Sequence, residues 1–263
     1  HYCGYEQARV TRCPVCGSKY ISGFRAGTQQ IEEAVKKMYP QARVLRMDMD
    51  TTAGKEGHEK ILAAFSAQEA DILVGTQMIV KGHDFPNVTL VGVLAADMSL
   101  YAGDYRAAER TFELLTQAAG RAGRGKRAGE VVIQTYTPQH YSIAAAAAQN
   151  YEQFYEEEIA FRSIMDYPPV CNMLMVTLSS KNEEQLLAAC TFLKEVIPEW
   201  KKEQVRITGP VAAGVYKRND YYNQVVYLKA TAYEKLTACK DRLEMLCREN
   251  TLFRSIGLQF DFN

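Results

Sequence analysis

Five residues of one short stretch, Gln117, Gly120, Arg121, Gly123 and Arg124, spell Q-x-x-G-R-x-G-R behind an apolar helical run. Arginines three apart fall on one face of a helical turn, and the glycines let the backbone approach a neighbour closely. A guanidinium fork held this way can reach the γ-phosphate of a nucleotide bound elsewhere. There it stabilises the charge developing on the transferred phosphoryl group, an effect worth roughly 10³–10⁵ in rate. Composition alone allows a plainer role, an Arg/Gly loop that meets nucleic-acid phosphates weakly.

A second match in the same stretch is a decoy. Gly120–Lys126 fits G-x-x-x-x-G-K, but Arg127 stands where a Ser or Thr would hold Mg²⁺, and no apolar strand runs directly into the loop. An acidic Asp-Glu-x-His motif is missing as well. The sequence therefore offers groups that act on a phosphate without the groups that would cradle one.

The elements that must position these residues alternate. Strand candidates are "YISGF", "ARVLRMD", "DILVGT", "VTLVGVLAAD" and "GEVVIQTY". Between them lie the helical patterns "GTQQIEEAVKKMY", with Thr28 as an N-cap, "GHEKILAAFSA" and "RAAERTFELLTQAAG". Near-continuous apolar strands suit a parallel sheet buried on both faces, so residues 20–140 read as a doubly wound α/β domain. Residues 141–169 read as a long helical linker with an alanine run, closed by Pro168 and Pro169. Residues 170–263 read as β-α-β-β-α-β, the split pattern of a smaller sandwich. Asp48 and Asp50 read as a strand-end turn capped by Thr51 and Thr52 rather than as metal ligands.

Of seven cysteines, Cys3, Cys13 and Cys16 crowd the first twenty residues, ahead of that lobe. Cys13-Pro-Val-Cys16 has the tight turn of a zinc ribbon, but a closed site needs four ligands, three thiolates are present here, and His1 is poorly placed for a fourth. Cys171, Cys190, Cys239 and Cys247 are scattered. The odd total argues against a disulfide framework, and the leucines around Cys190 and Cys247 imply buried thiols.

"VYKRNDYYNQ", residues 215–224, reads as a hairpin turning at Asn219-Asp220. It groups Lys217 and Arg218 with Tyr216, Tyr221 and Tyr222, the cations and rings of a single-strand platform, although many hairpin tips are basic for no such reason. Lys+Arg and Asp+Glu balance at 31 each, so nucleic-acid contact must come from local patches. No apolar run is long enough to span a bilayer, and the first residues lack the pattern of a signal peptide, which makes the cytoplasm the default compartment and leaves no membrane partner.

Q-x-x-G-R-x-G-R resembles the last conserved motif of superfamily 2 nucleic-acid translocases. Upstream, "VGTQMIVKGHDFPNV" is similar to the preceding motif. The run from there through "DYRAAERTFELLTQAAGRAGR", with "CGY…CPVCGS" ahead and "YPPV" behind, resembles the bacterial primosomal replication-restart helicases over essentially the whole chain. Gly103 departs from it, where proline is expected.

The resemblance implies a fragment of an ATP-dependent 3′–5′ DNA helicase that recognises stalled or branched forks and restarts replication by primosome assembly. The chain would hold the end of a zinc module (1–19), a RecA-like second lobe (20–140), the linker (141–169) and a C-terminal DNA-binding domain (170–263). Arg121, Arg124 and Gln117 would be catalytic, and Gly82, Asp84 and Gly120 would lie at the nucleotide. Gly75, Thr76, Gln77 and Lys81, with Lys217, Arg218, Tyr221 and Tyr222 of the hairpin, would meet DNA.

ATP and Mg²⁺ would bind mainly to a first lobe upstream of residue 1, leaving this chain inactive alone. Cys3 would belong to one of two zinc sites, and Cys13 and Cys16 to the other. Partners would be branched and single-stranded DNA, single-strand-binding protein and other primosome proteins. Two other readings compete: another superfamily 2 translocase for branch migration or repair, which lacks a cysteine module ahead of its second lobe, and a non-catalytic nucleic-acid-binding module.

Overall fold

The computed structural model describes Arg12 and residues 14–19, 27–52, 57–80, 85–101, 103–125, 127–197 and 204–263. By contact these fall into two compact units, Val10–Tyr155 and Glu156–Asn263.

The first unit is built on parallel strand pairs. β1 (Val44–Met47) pairs with β2 (Ile72–Gly75), and β3 (Leu90–Val93) pairs with β4 (Glu130–Ile133). One continuous doubly wound sheet was the expectation; among the described residues the hydrogen-bonded strands form two separate pairs. The expected strand at 20–24 lies outside the described residues. Helices α1 (Thr28–Met38) and α2 (Gly57–Ser66) pack on the first pair. Met47, Leu62 and Phe85 form its core, with Phe65 set edge-on to Phe85 at 5.0 Å. The Thr28 hydroxyl does not cap α1, since it donates instead to the Asp48 carboxylate.

The second pair carries α3 (Asp97–Leu100) and α4 (Ala107–Ala119). β3 and β4 are less buried than their apolar composition suggests: Leu90 and Val132 remain 60% and 53% exposed, and burial alternates along both strands. The helical stretch after β4 is broken. α5 (Tyr141–Ala147) and α6 (Tyr151–Met165) are separated where Gln149 takes a φ of +51° and the Asn150 side chain accepts from Gln153 N–H. Asparagine favours a cap over a helix interior, so the register restarts there. The alanine run buries Ala145 and Ala146 against Phe112 and Leu115, because only small side chains let α5 lie this close to α4. Phe112 stacks on Phe154 with ring centres 4.2 Å apart.

The second unit is a four-stranded antiparallel sheet in the order β6-β7-β5-β8, formed by β5 (Asn172–Ser180), β6 (Arg206–Arg218), β7 (Tyr221–Ala230) and β8 (Gly257–Phe262). With α7 (Glu183–Val196) and α8 (Tyr233–Glu249) this is the β-α-β-β-α-β arrangement expected. Both helices share one core with the sheet, where Leu174, Val176, Leu178, Leu186, Leu193, Leu236 and Leu243 are almost completely buried. Each such side chain contributes about 1.5–3 kcal/mol of burial. Cys190, Cys239 and Cys247 lie in the same core, where burial raises the Cys190 and Cys247 thiols to about 11. Among the described residues no helix is long and apolar enough to cross a membrane.

Candidate nucleotide and nucleic-acid site

The arginine motif begins on the last turn of α4. Apolar Phe112, Leu115 and Ala118 bury one face of the helix, which leaves Gln117 exposed on another. Gly120 closes the helix, its N–H donating to Thr116 O at 2.9 Å. Arg121 N–H and Ala122 N–H then bond back to Ala118 O and Ala119 O, so the turn carries Arg121 close to the helix axis while Arg124 emerges exposed beyond it. The Arg124 side chain folds back, Nε–H donating to Gly120 O at 2.6 Å. A cation at the carbonyl end of a helix is favoured by the macrodipole, which holds this guanidinium beside the helix terminus.

The glycines are explained by backbone contact. Gly123 has a φ of +74° and donates its N–H to Val88 O at 3.0 Å. A Cβ on Gly129 would meet Gly123 N at 2.2 Å, and one on Gly125 would meet Pro86 O at 2.1 Å. Glu130 N–H continues the seam to Thr89 O at 2.8 Å. The loop after α4 is thus fastened, backbone to backbone, on the segment that closes the preceding motif. Of the two motif glycines, Gly123 makes the close approach expected, whereas a Cβ on Gly120 would meet nothing nearer than Thr116 O at 3.5 Å.

That preceding motif starts at the carboxyl end of β2, where open α/β sheets bind their ligands. Gly75 ends the strand with no room for a side chain, since a Cβ would stand 2.5 Å from Met47 O. Thr76 and Gln77 are exposed, and the short helix Gln77–Val80 that follows packs against α4. Lys81, Gly82 and Asp84 lie outside the described residues, as do Cys3 and Cys13. Cys16 is described and is an exposed free thiol. Among the described residues no three His, Cys, Asp or Glu side chains come together as a metal site would require.

Two aspartates at strand ends are structural. Asp48 follows β1 and accepts from Thr51 N–H at 2.9 Å, making the turn expected there. Asp97, buried after β3, accepts from the Thr137 and Thr135 hydroxyls at 2.6 and 2.8 Å and from Tyr136 N–H at 2.9 Å. These donors, the Thr137 hydroxyl foremost, lower its carboxyl to about 2. Gly103 takes a φ of +68°, which proline cannot adopt.

In the second unit β6 and β7 form the expected hairpin. Asn219 and Asp220 have φ of 49° and 64°, as a type I′ turn requires. The two tyrosines differ. Tyr222 is half-buried beside the core, edge-on to Tyr216 at 5.6 Å and covered by Lys217 Nζ at 4.8 Å from its ring centre. Tyr216 donates its hydroxyl to Glu183 Oε1 at 2.6 Å, which raises that phenol to about 12. Tyr221 is 43% exposed, and Arg218 is exposed opposite it. Sequence reasoning missed Lys181, whose Nζ lies 5.3 Å from the Tyr221 ring centre.

Residues 19–126 match the helicase conserved C-terminal domain family, and residues 163–262 match the primosomal protein N C-terminal domain family. The replication restart protein PriA of Bacillus subtilis (strain 168) is 48% identical over 254 residues, which covers 95% of this chain and 31% of that protein. The Synechocystis protein of the same name is 38% identical over 247 residues, 94% of this chain and 30% of its own length. That of Borreliella burgdorferi is 37% identical over 250 residues, 93% and 37% respectively. The chain spans about a third of the length of these curated relatives.

Proposed function

From the premise that this chain belongs to the replication restart protein PriA family, we propose that it works as part of an ATP-dependent 3′–5′ DNA helicase that restarts replication at stalled or branched forks. The observation that carries this reading is the placement of the Gln117–Arg124 motif. It lies at the carboxyl end of α4, on a loop fastened to the segment that follows Gly75, Thr76 and Gln77. A group that moves near DNA would thereby move the loop that bears on the nucleotide.

In this reading residues 20–140 act as the second helicase lobe, 141–169 as linker and 170–263 as a DNA-binding domain. Arg124 and Arg121 bear on the terminal phosphate of ATP, Gln117 orients there, and Gly120, Gly82 and Asp84 border the nucleotide. Thr76, Gln77, Gly75 and Lys81 follow the DNA backbone, as do the residues of the hairpin. The cradle for ATP and Mg²⁺ is contributed by another part of the protein. Cys3, Cys13 and Cys16 give three thiolates to zinc sites completed by other cysteines, which would hold the module at 1–19 in shape. Branched and single-stranded DNA, single-strand-binding protein and other primosome proteins are its partners in the cytoplasm. The match over 163–262 supports this reading over a branch-migration or repair translocase.

The test is DNA-stimulated ATP hydrolysis by a protein of the relatives' full length, wild type against Arg124→Ala, with nucleotide binding measured in both. A fall of about a hundredfold or more with binding retained supports Arg124 as the finger. Unchanged hydrolysis overturns it. The 263-residue chain alone is expected to hydrolyse ATP negligibly.

A further inference from the structure

One end of the C-terminal sheet collects three cations from two strand ends, Lys181 after β5 and Lys217 and Arg218 at the close of β6. β5 stops at Ser180, which stands opposite Tyr222 of β7, and the chain continues directly into exposed Lys181. On the other side of β7, Lys217 pairs with Tyr222 and Arg218 with Tyr221. The middle strand thus begins with two rings, and lysines approach them from both neighbours. Of the acidic groups nearby, Glu183 is engaged by the Tyr216 hydroxyl, and Asp220 sits in the exposed turn. Positive charge outweighs negative at this sheet end.

The rings are not equivalent. Tyr222 is enclosed by the core, by Tyr216 and by the Lys217 ammonium, so its position is set by the fold. Tyr221 remains exposed, with Lys181 beside it. An exposed ring flanked by flexible cations suits an unstacked base whose phosphates lie about one nucleotide spacing to either side. A duplex keeps its bases stacked and offers such a ring nothing.

We infer that Lys181, Arg218 and Tyr221 form one binding site for single-stranded nucleic acid, in which Tyr221 stacks on a base, Lys181 holds an adjoining phosphate, and Tyr222, on the opposite face with Lys217 over its ring, supports from beneath. This deepens the assignment of the hairpin to DNA made above and rests on it. Lys181 is the added member, brought in by the register of β5 on β7.

The experiment is fluorescence anisotropy of a labelled oligo-dT of about 15 nucleotides with the whole chain, across a KCl series. Lys181→Ala is expected to weaken binding about three- to tenfold and to reduce the magnitude of the log affinity–log salt slope by about 0.7, the share of one phosphate contact on a single strand. Tyr221→Leu is expected to weaken it about tenfold with the slope unchanged, because stacking carries no counterion release. Tyr221→Phe and Tyr222→Phe should bind like wild type. Lys181→Ala and Lys181→Gln with wild-type affinity and slope would overturn the site, and so would displacement of the oligonucleotide by an equal concentration of oligo-glutamate, which would point to an acidic protein partner. No ATP enters the assay, so a failed motor reading and a failed site give different results.

Discussion

A Cβ built on Gly125 would stand 2.1 Å from the carbonyl oxygen of Pro86, a distance no side chain tolerates. The two backbones touch because neither residue puts bulk between them. Gly123 and Gly129 make a second such contact, and Gly123 N–H bonds to Val88 O on the same segment. Gly123, Gly125 and Gly129 therefore have their own task, which is to let the loop dock.

Gly125→Ala and Gly129→Ala should each destabilise the protein by about 1–3 kcal/mol, the usual cost of overpacking a tight contact. Gly214→Ala, where nothing lies within 4 Å of a new Cβ, should stay within about 0.5 kcal/mol of wild type. Urea titration distinguishes the two outcomes.

Asp97 gives a pH dependence of known sign. Its carboxyl sits at about 2 in the folded protein, held down first by the Thr137 hydroxyl, and at about 3.9 when unfolded. The unfolded state binds the proton more readily, so the stabilisation is fully present above about pH 4 and is lost as pH falls through 2. Asp97→Asn should remove this part of the acid destabilisation, read as a flatter stability–pH curve over that window.

Glu158 and Arg162 form an ion pair at 2.7 Å, one turn apart on α6, and both are buried. Arg162 also donates to Pro168 O at 2.8 Å. Arg162→Ala removes the ion-pair partner of a buried carboxylate and should cost about 3–5 kcal/mol, whereas Glu158→Leu with Arg162→Met should recover most of it. Thermal melting of the two variants beside the wild type measures both.

Thiol labelling at pH 8 should separate the described cysteines. Burial raises Cys190 and Cys247 to about 11 and leaves little thiolate, so both should react with a disulfide reagent only after unfolding. Cys16, the exposed one among them, should react at once.

Much of this was legible in the sequence because it is local. The period of Phe112, Leu115 and Ala118 marks α4; Asn219-Asp220 marks the hairpin turn; leucines around Cys190 and Cys247 mark the core. Each signal lies within a turn or two of the residue it describes, where helix and strand periods act directly. The break between α5 and α6 was less visible, since Gln149 and Asn150 interrupt a pattern whose apolar spacing continues across them.

Residue types and spacing alone single out the candidates for chemistry: two arginines and a glutamine in fixed spacing, and a basic hairpin with tyrosines. Only the tertiary structure decided what they meet. Gly125 finds Pro86 across a gap of 39 positions, and Lys181 finds Tyr221 across 40, through docked loops and strand register that no local period encodes. The same packing made Tyr222 a support and left Tyr221 exposed, although the two are adjacent and identical in type. Their side chains point to opposite faces of one strand, and only one of those faces has a core behind it.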